Sequence, residues 1–538
     1  MTGPPAGSVL ALLAEQAAAR PDAVALVEGV GARRRAVTFA EFDDRVRRMQ
    51  SWLEVQGLQA GDGLLVFHPP SIDLYVALVA LFRLGGVAMF VDLGAGRGVL
   101  EAACRLHPPA AVLLSPKAHL LRLASPALRR IPRCLTGGRW PLPGARRIAG
   151  AVRHAATTRP AVEAPDAPAL MTFTSGSTGE PKAAVRTHAF LQAQHRALAA
   201  TVGAPAGMVD LVAFPVVVLA NLASGATSVL PAADLRRPGA VDPALLLAQL
   251  AAERPTRVSA APAMLARLAE ASADADPRWS GVREIVTGGG PVFPDLLDAL
   301  ARVAPAAERV AVYGSTEAEP IAEQVASAIG AADRARMAAG AGLLAGAPVA
   351  PVRLRVIAAQ GDALAPSLDP AAFDALERPP GEAGEIVVTG AHVLRGYWQG
   401  CGDAETKLRV GDDVWHRTGD LGVLDEEGRL WLLGRAAAAI ADGRGLVYPF
   451  AVECALRMRW PGLRAAFVAH GGRRVLVVED DRAPAEAELR GTLAWAAVDE
   501  VARVGRLPLD GRHNSKVDYP ALRRLLASAR AAVVGSRA

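Results

Sequence analysis

A series of short apolar runs, each ending in small or polar residues, constrains the fold of this chain more than any other feature. LYVALVALFRLGG is typical of a buried helix, whereas VAMFVDL and AAVLLS are typical of strands. Between residues 209 and 315, four further runs predict strands that lead into loops: VDLVAFPVVV, TRVSAAP, REIVTGGG and ERVAVYGS. Such alternation predicts α/β architecture. Since ligands of these folds bind beyond the carboxyl ends of strands, the loops at 288–290 and 313–317 are candidate site loops.

The pattern changes near Gly381. GEIVVTG and VWHRTGDLGVLDEEGRLWLLGR alternate apolar and polar residues and contain glycine turns, which predicts antiparallel strands. After Arg435 a compact remainder of about 100 residues is long enough to fold separately, with AAAAIADGRG as the joint.

Composition excludes several classes of protein. With 51% hydrophobic and 21% charged residues, the 538-residue chain is typical of a globular protein with a large core. The net charge of +5 is small and no Lys/Arg run predicts a nucleic-acid groove. Four dispersed cysteines without a CxxC pair argue against a disulfide scaffold or zinc site, and they fit a reducing compartment.

Neither a signal peptide nor a membrane span is expected. The N-terminal segment lacks a basic region and is interpreted as a helix that ends at Arg20-Pro21. Residues 74–93 contain Arg83 and residues 209–230 contain Pro215, so both are interpreted as buried core. We therefore expect a soluble, cytoplasmic protein.

The stretch FTSGSTGEPK, residues 173–182, combines glycines and hydroxyls ahead of a lysine. Glycine lets backbone N–H groups approach phosphate oxygens closely, and hydroxyls add donors, so the stretch favours a phosphate-binding loop. It is not a Walker A loop, because Pro181 precedes Lys182 and Ala183 follows it. That order argues against a P-loop kinase or ATPase.

Lysine is rare in this chain. Only four of its 59 basic residues are lysines, namely Lys117, Lys182, Lys407 and Lys516. A compact ammonium on a flexible stem differs from the planar guanidinium fork, so a lysine in an arginine-rich chain is a candidate for a specific role. Lys182 closes the glycine/hydroxyl loop and Lys516 lies in RHNSKVDY, whereas a random surface position stays open for any one of the four.

Taken together, the motifs resemble the adenylate-forming superfamily of acyl-CoA synthetases, nonribosomal adenylation domains and luciferases. FTSGSTGEPK, YGSTE (313–317), TGD (418–420), GR (434–435) and a late Lys516 occur in the order that this superfamily has. The resemblance covers nearly the whole chain. It implies a large N-terminal domain, residues 1–434, with doubly covered sheets plus an antiparallel portion, and a small mobile α+β C-terminal domain, residues 435–538.

The resemblance also implies roles for individual residues. Lys516 would bridge the carboxylate and the α-phosphate, Thr316 would contact the α-phosphate, and Glu317 would bind Mg²⁺. The remaining residues implied to contact ATP are Thr174, Ser175, Gly176, Ser177, Thr178, Gly179 and Lys182 at the pyrophosphate, Gly289, Gly290, Pro291 and Tyr313 near the adenine and acyl group, and Asp420 with Arg435 at the ribose. A carboxylate that attacks ATP brings two anions together, so Mg²⁺ and an ammonium are the groups the chemistry needs.

The sequence leaves the roles of three histidines open to more than one interpretation. His188 matches a superfamily position, and both a site role and a satisfied interior position stay open for it. His416 and His513 are interpreted as surface or polar-network residues.

Longer stretches, among them HPPSIDLYVALVALFRLGG and LDGRHNSKVDYPAL, resemble the olefin-pathway β-lactone synthetases and their fatty-acid ligase relatives. The chain departs from the superfamily after Arg435, where Ala437 replaces a hinge Asp or Lys and Ala441 replaces a Lys. The missing side chains normally serve thioester formation. Their absence weakens the CoA-ligase interpretation and leaves adenylation intact.

The sequence therefore predicts an enzyme that converts a carboxylic acid and Mg·ATP into an acyl-adenylate and pyrophosphate. The acid is expected to be a fatty or 3-hydroxy fatty acid, by resemblance only. Two fates of the acyl group stay open: transfer to a thiol of CoA or a carrier protein, or closure of a β-lactone by the 3-hydroxyl. The alternative is a catalytically silent homologue that keeps the nucleotide and acyl site.

Overall fold

The computed structural model describes residues 8–91, 97–138, 142–162, 164–175, 181–361, 364–480, 483–509 and 517–535. In chain order its strands are β1 (Val24–Glu28), β2 (Arg35–Thr38), β3 (Gly63–Phe67), β4 (Val87–Val91), β5 (Pro109–Leu114), β6 (Arg133–Thr136), β7 (Arg146–Arg147), β8 (Pro168–Ser175), β9 (Pro181–Thr187), β10 (Val209–Val212), β11 (Thr227–Leu230), β12 (Arg257–Ala260), β13 (Glu284–Gly288), β14 (Glu308–Ser315), β15 (Ala318–Val325), β16 (Leu343–Pro348), β17 (Arg353–Ile357), β18 (Ser367–Leu368), β19 (Gly384–Thr389), β20 (Lys407–Val410), β21 (Asp413–Leu424), β22 (Leu430–Arg435), β23 (Ile440–Asp442), β24 (Gly445–Val447), β25 (Ala465–His470), β26 (Arg473–Glu479) and β27 (Glu500–Val504).

The helices, again in chain order, are α1 (Val9–Ala19), α2 (Phe39–Val55), α3 (Ile72–Leu84), α4 (Arg97–Leu106), α5 (His119–Ala124), α6 (Pro126–Arg130), α7 (His188–Val202), α8 (Pro215–Ser224), α9 (Pro243–Glu253), α10 (Pro262–Glu270), α11 (Pro294–Val303), α12 (Ala331–Ala338), α13 (Pro370–Asp374), α14 (Asp403–Thr406), α15 (Pro449–Arg459), α16 (Glu486–Thr492) and α17 (Tyr519–Gly535). Among the described residues, no helix combines the length and apolarity that crossing a bilayer requires.

Two large sheets organise the first part of the chain. One has seven strands in the order β7-β6-β5-β3-β4-β8-β9, and the other has fifteen, running from β17 through β14, β13, β12, β10 and β11 to β2. Helices α1, α2, α3 and α8 lie between the sheets and share one apolar core with both. Helices α9, α10 and α11 cover the outer face of the larger sheet, and α4 and α6 cover that of the smaller. The predicted doubly covered α/β sheets are confirmed.

Helix α3 illustrates why this layer forms. The Ser71 hydroxyl accepts from the Leu74 N–H at the start, and Gly85 adopts the left-handed conformation (φ +80°) at the end. Nearly every side chain of the helix is buried, because a sheet lies on each side of it. This helix, apolar all round, therefore lies in the central layer between the sheets. Its burial agrees with the interpretation of residues 74–93 as buried core.

Two sequence-based boundaries need correction. In VDLVAFPVVV the strand ends at Val212, and Pro215 starts helix α8, because proline fits the first helical turn where its missing N–H is not needed. Antiparallel pairing begins well before Gly381, since β15 already runs antiparallel to β14 and extends the parallel part of the same sheet.

The chain after Arg435 builds cores of its own. Strands β25, β26 and β27 form a three-stranded sheet, with α15 and α16 on one face and α17 on the other. Helix α15 also contacts the preceding part of the chain: the Cys454 thiol lies 3.5 Å from the Gly342 carbonyl oxygen, and Arg457 pairs with Asp295 at 3.0 Å. The division at residue 434/435 and the mobility of the second part stay predictions.

Candidate active site

The predicted site loops lie at one edge of the larger sheet. Strands β13 and β14 are parallel, with Gly288 beside Val312, so the residues that follow both strands come together. Gly289, at φ +76°, Gly290 and Pro291 continue from β13. Thr316 and Glu317 form the turn between β14 and β15, and Arg186 of β9 donates to the Thr316 carbonyl oxygen at 2.7 Å. The smaller and larger sheets thereby meet at this turn.

Asp420 lies in a cage of two donors. Its Oδ2 accepts from the Tyr313 hydroxyl at 2.7 Å, and its Oδ1 lies 3.2 Å from Nε of Arg435, which is its cross-strand neighbour on β22. Arg435 is itself oriented, since it donates to the Thr418 carbonyl oxygen at 3.0 Å. Burial, followed by the Asp420 charge, raises the pKa of Tyr313, which therefore stays a hydrogen-bond donor.

This cage leaves Asp420 able to accept further hydrogen bonds. Each carboxylate oxygen has two lone-pair sites, and Tyr313 and Arg435 each approach one oxygen. The arrangement fits the ribose role implied by the sequence, because hydroxyl donors need an ionised acceptor held in a fixed position.

Glu317 is held by both its backbone and its side chain. Its N–H donates to the Ser315 hydroxyl at 3.2 Å, its carbonyl oxygen accepts from the Leu394 N–H at 2.7 Å, and Oε1 accepts from the Tyr397 hydroxyl at 2.7 Å. The Tyr397 hydroxyl thus contacts one of the two carboxylate oxygens, Oε1. Although burial acts to raise the pKa of Glu317, the net direction is down, because the hydrogen bond from the Tyr397 hydroxyl and the charge of Lys407 favour the carboxylate.

The chemistry of the Glu317 carboxylate fits a magnesium ion. Mg²⁺ is a hard cation that usually binds one or two carboxylates and takes its other ligands from substrate phosphates and water. In the described part of the chain no cluster of three or more His, Cys, Asp or Glu side chains forms a complete metal cage. Glu317 therefore offers what a nucleotide-bound Mg²⁺ needs from this chain.

Lys182 lies beside the same tyrosine. It stands on β9 opposite Thr174 of β8, is 7% exposed, and places Nζ 5.7 Å from the centre of the Tyr397 ring and 3.5 Å from Glu405 Oε2. The lysine stem runs over Gly402 (φ +97°), where a Cβ would lie 2.4 Å from Lys182 Cδ, so only glycine leaves room. The Lys182 ammonium is thus paired with the partly exposed carboxylate of Glu405.

Lys407 is one of the four lysines of the chain, but no sequence motif assigns it a role. It is 3% exposed, donates to the Leu394 carbonyl oxygen at 2.5 Å, and lies 3.2 Å from Nδ1 of His416 and 5.2 Å from the Tyr397 ring centre. Burial lowers its pKa to about 8. Burial and the Lys407 charge lower the pKa of His416 to about 3, so the imidazole is neutral near pH 7. The scarcity of lysine in the chain is the sequence signal that marks Lys407 as a candidate for a specific role.

Other predicted residues lie outside the described part of the chain. These are Gly176, Ser177, Thr178, Gly179, Lys516 and His513. Thr174 and Ser175 are described by their backbone alone, at the end of β8. His188 is 1% exposed and stands edge-on to Phe82 at 5.9 Å, and neither of its ring nitrogens has a hydrogen-bond partner among the described residues. It is interior, as one interpretation held, but its hydrogen bonds are not satisfied there.

Comparisons with known proteins identify the family to which the chain belongs. The family described as AMP-binding enzyme matches residues 13–398. An olefin β-lactone synthetase of Stenotrophomonas maltophilia is 32% identical over 540 residues, covering 95% of this chain and 96% of that protein. A feruloyl-CoA synthase of an Amycolatopsis species is 30% identical over 458 residues, covering 80% of each.

Solved structures share the fold over nearly the whole chain. The amide bond synthetase McbA from Marinactinospora thermotolerans has a TM-score of 0.77 at 24% identity, covering 96% of this chain and 99% of that one. ATP-bound MatB from Rhodopseudomonas palustris has a TM-score of 0.74 at 21% identity, covering 96% and 99%. The chain therefore belongs to the AMP-binding enzyme family, and it is an acyl-adenylate-forming, ATP-binding ligase.

Proposed function

We propose that this enzyme adenylates a 3-hydroxy carboxylic acid and then closes it to a β-lactone, with release of AMP. The observation that carries the proposal is the 32% identity to a protein named olefin β-lactone synthetase, which extends over 95% of this chain and 96% of that protein. A second protein with the same name, from Xanthomonas campestris, is 31% identical over the same shares. A β-lactone ring is the intramolecular ester of a 3-hydroxy acid, so the product class sets the substrate class.

In the first step a carboxylate oxygen attacks the α-phosphorus of ATP and pyrophosphate leaves. Lys182 would bind the leaving phosphates after it exchanges Glu405 for them, and Asp420 with Arg435 would fix the ribose. Lys516 would bridge the two reacting anions, Thr316 would contact the α-phosphate, and Glu317 would hold Mg²⁺. Bound Mg²⁺ supplies charge neutralisation between the phosphates.

In the second step the 3-hydroxyl oxygen attacks the acyl carbon and the carbon–oxygen bond to AMP breaks. The hydroxyl proton leaves with the AMP phosphate or through solvent, so the sum is hydroxy acid plus ATP giving lactone, AMP and pyrophosphate. No second substrate is needed. Ala437, in the turn that follows β22, and Ala441, in β23, present no charged group that would serve an incoming thiol.

We take the acyl chain to be fatty-acid-like, because the sequence resembles fatty-acid ligases and β-lactone synthetases. Such a chain needs apolar surroundings in the enzyme. Rates of pyrophosphate release across a series of 3-hydroxy acids of increasing chain length test this choice. A rate that does not rise with chain length would contradict a fatty substrate without touching the adenylation step.

The decisive experiment incubates the enzyme with ATP, magnesium and a 3-hydroxy fatty acid without CoA, and analyses the organic product. We expect AMP, pyrophosphate and a β-lactone in equal amounts. The matched acid that lacks the hydroxyl should give adenylate and slow hydrolysis only. AMP release without lactone from the hydroxy acid would contradict ring closure.

A second fate of the acyl group is favoured by one observation, the 30% identity to a feruloyl-CoA synthase over 80% of the chain. Parallel incubations with CoA and with an acyl-carrier thiol distinguish thioester formation from ring closure, because a thioester would then accumulate in place of the lactone. The Lys516→Ala variant tests the adenylation lysine in either case, with the exposed Lys117→Ala as its control. We expect Lys516→Ala alone to abolish acid-dependent pyrophosphate exchange, and absence of exchange in the unaltered enzyme would indicate a silent homologue.

A further inference from the structure

Tyr397 stands where three charged groups of the site meet. Its hydroxyl donates to Glu317 Oε1 at 2.7 Å, while Nζ of Lys182 and Nζ of Lys407 lie 5.7 and 5.2 Å from the centre of its ring. Both ammoniums are within the distance at which a cation is attracted to an aromatic face. Two of the four lysines of the chain therefore share this one ring.

The tyrosine is itself fixed from two directions. Its backbone pairs with Ala184 of β9, its N–H donates to Asp403 at 2.8 Å, and its ring packs in a buried cluster with Ala184, Phe190 and Leu394. Since β9 also carries Lys182, the ring and the lysine belong to the same rigid part of the smaller sheet.

Lys407 connects to Glu317 by a second route, through the backbone. Its ammonium donates to the carbonyl oxygen of Leu394, and the N–H of the same residue donates to the Glu317 carbonyl oxygen at 2.7 Å. The buried ammonium thus braces the segment that holds Glu317 in place, and it lies against the ring that holds the carboxylate. A guanidinium is larger and planar, so it does not fit a site that a carbonyl and an imidazole close at 2.5 and 3.2 Å.

We propose that Tyr397 is a positioning residue for the Glu317 carboxylate: its hydroxyl holds Oε1 and so would orient the carboxylate for a nucleotide-bound Mg²⁺, while Lys407 holds Tyr397 and Leu394 in place. This inference rests on the proposed role of Glu317. Groups that hydrogen-bond a metal ligand set its orientation, and their loss commonly costs about 10- to 100-fold in metal affinity.

The test measures metal binding directly, without turnover. Mn²⁺ is titrated into the full-length enzyme saturated with α,β-methylene-ATP, which cannot release pyrophosphate, and bound Mn²⁺ is followed by electron paramagnetic resonance. We expect Tyr397→Phe and Lys407→Met each to weaken Mn²⁺ binding about tenfold, with the thermal midpoint of unfolding close to that of the unaltered enzyme.

Matched controls remove the same groups elsewhere. Tyr75→Phe deletes a buried hydroxyl that lies 3.4 Å from a carbonyl oxygen, and Lys117→Met deletes an exposed ammonium, so both should leave Mn²⁺ binding unchanged. If Lys407 acts through Tyr397, Lys407→Met should weaken Mn²⁺ binding less in the Tyr397→Phe variant than in the unaltered enzyme.

Glu317→Gln separates this inference from the proposed function. If Glu317→Gln weakens Mn²⁺ binding while Tyr397→Phe and Lys407→Met bind within twofold of the unaltered enzyme, the positioning role is overturned and the metal role of Glu317 stands. If Glu317→Gln has no effect, the metal role fails first. Should either Tyr397→Phe or Lys407→Met unfold, the other variant decides alone.

Discussion

In the part of the chain that the structure describes, tyrosine hydroxyls donate to carboxylates at three places, and the three pairs differ in the cations around them. The distances are nearly equal: 2.7 Å for Tyr313–Asp420, 2.7 Å for Tyr397–Glu317 and 2.6 Å for Tyr519–Glu453. After the roles proposed for the first two, we call them the ribose pair, the metal pair and the C-terminal pair, in that order. The chain has five tyrosines, so this use accounts for most of them.

Charge distinguishes the pairs. In the ribose pair Arg435 lies 3.2 Å from the second oxygen of Asp420, whereas in the metal pair no arginine or lysine of the described residues forms a salt bridge with Glu317 and the charge of Lys407 acts from a greater distance. In the C-terminal pair, Glu453 forms no salt bridge with a described residue, and burial raises its pKa to about 7, only partly offset by the hydrogen bonds from Tyr519 and the Phe467 N–H.

The same type of hydrogen bond therefore holds three carboxylates whose electrostatic surroundings differ. A carboxylate already paired with a guanidinium is suited to accept from neutral hydroxyls, and one without a guanidinium partner is suited to bind a metal ion. A carboxylate without a cation holds its proton more tightly as burial increases.

The largest effect is expected at the metal pair. Glu317→Gln keeps the size and the Tyr397 hydrogen bond but removes the charge, so kcat for acid-dependent pyrophosphate release should fall about 100- to 1000-fold. Stopped-flow pyrophosphate detection measures it, and the exposed Glu426→Gln is the control. A variant that retained a tenth of the rate would break the proposed assignment.

A smaller effect, mainly on KM, is expected at the ribose pair. Asp420→Asn replaces charge-assisted hydrogen bonds by neutral ones, so KM for ATP should rise about 10- to 100-fold while kcat changes less. Comparison of ATP with 2′-deoxy- and 3′-deoxy-ATP sharpens the test, because the variant should discriminate among them less than the unaltered enzyme. Unchanged discrimination would place the ribose elsewhere.

The C-terminal pair should affect stability and its pH dependence, not nucleotide binding. Because the pKa of Glu453 in the folded protein is raised, the folded state binds more protons than the unfolded state, and its stability falls as pH rises from about 4.5 towards 7. Between pH 5 and 6.5 the unaltered enzyme should lose about 1 to 2 kcal/mol relative to Glu453→Gln. Denaturant titrations at both pH values measure this difference, and equal slopes with pH would contradict a buried, proton-binding Glu453.

Much of the fold and of the site could be predicted from local patterns. The helix at Ile72–Leu84, the strands before the GGG and YGSTE loops, and the hairpin around Asp420 all follow from periodicity and turn residues. The motif order also identified Lys182, Glu317, Asp420 and Arg435 as one set. The domain boundary and the role of Lys516 stay predictions.

The family, the α/β class and the set of charged site residues could be recognised from the sequence alone, because each is encoded in motifs only a few residues long. Only the tertiary structure decided which tyrosine serves which carboxylate, since Tyr397 and Glu317 are 80 residues apart and Tyr313 and Asp420 are 107 apart. Lys407 shows the same limit: its neighbours along the chain indicate no function, and its role arises from burial beside a ring and a carboxylate that other strands supply.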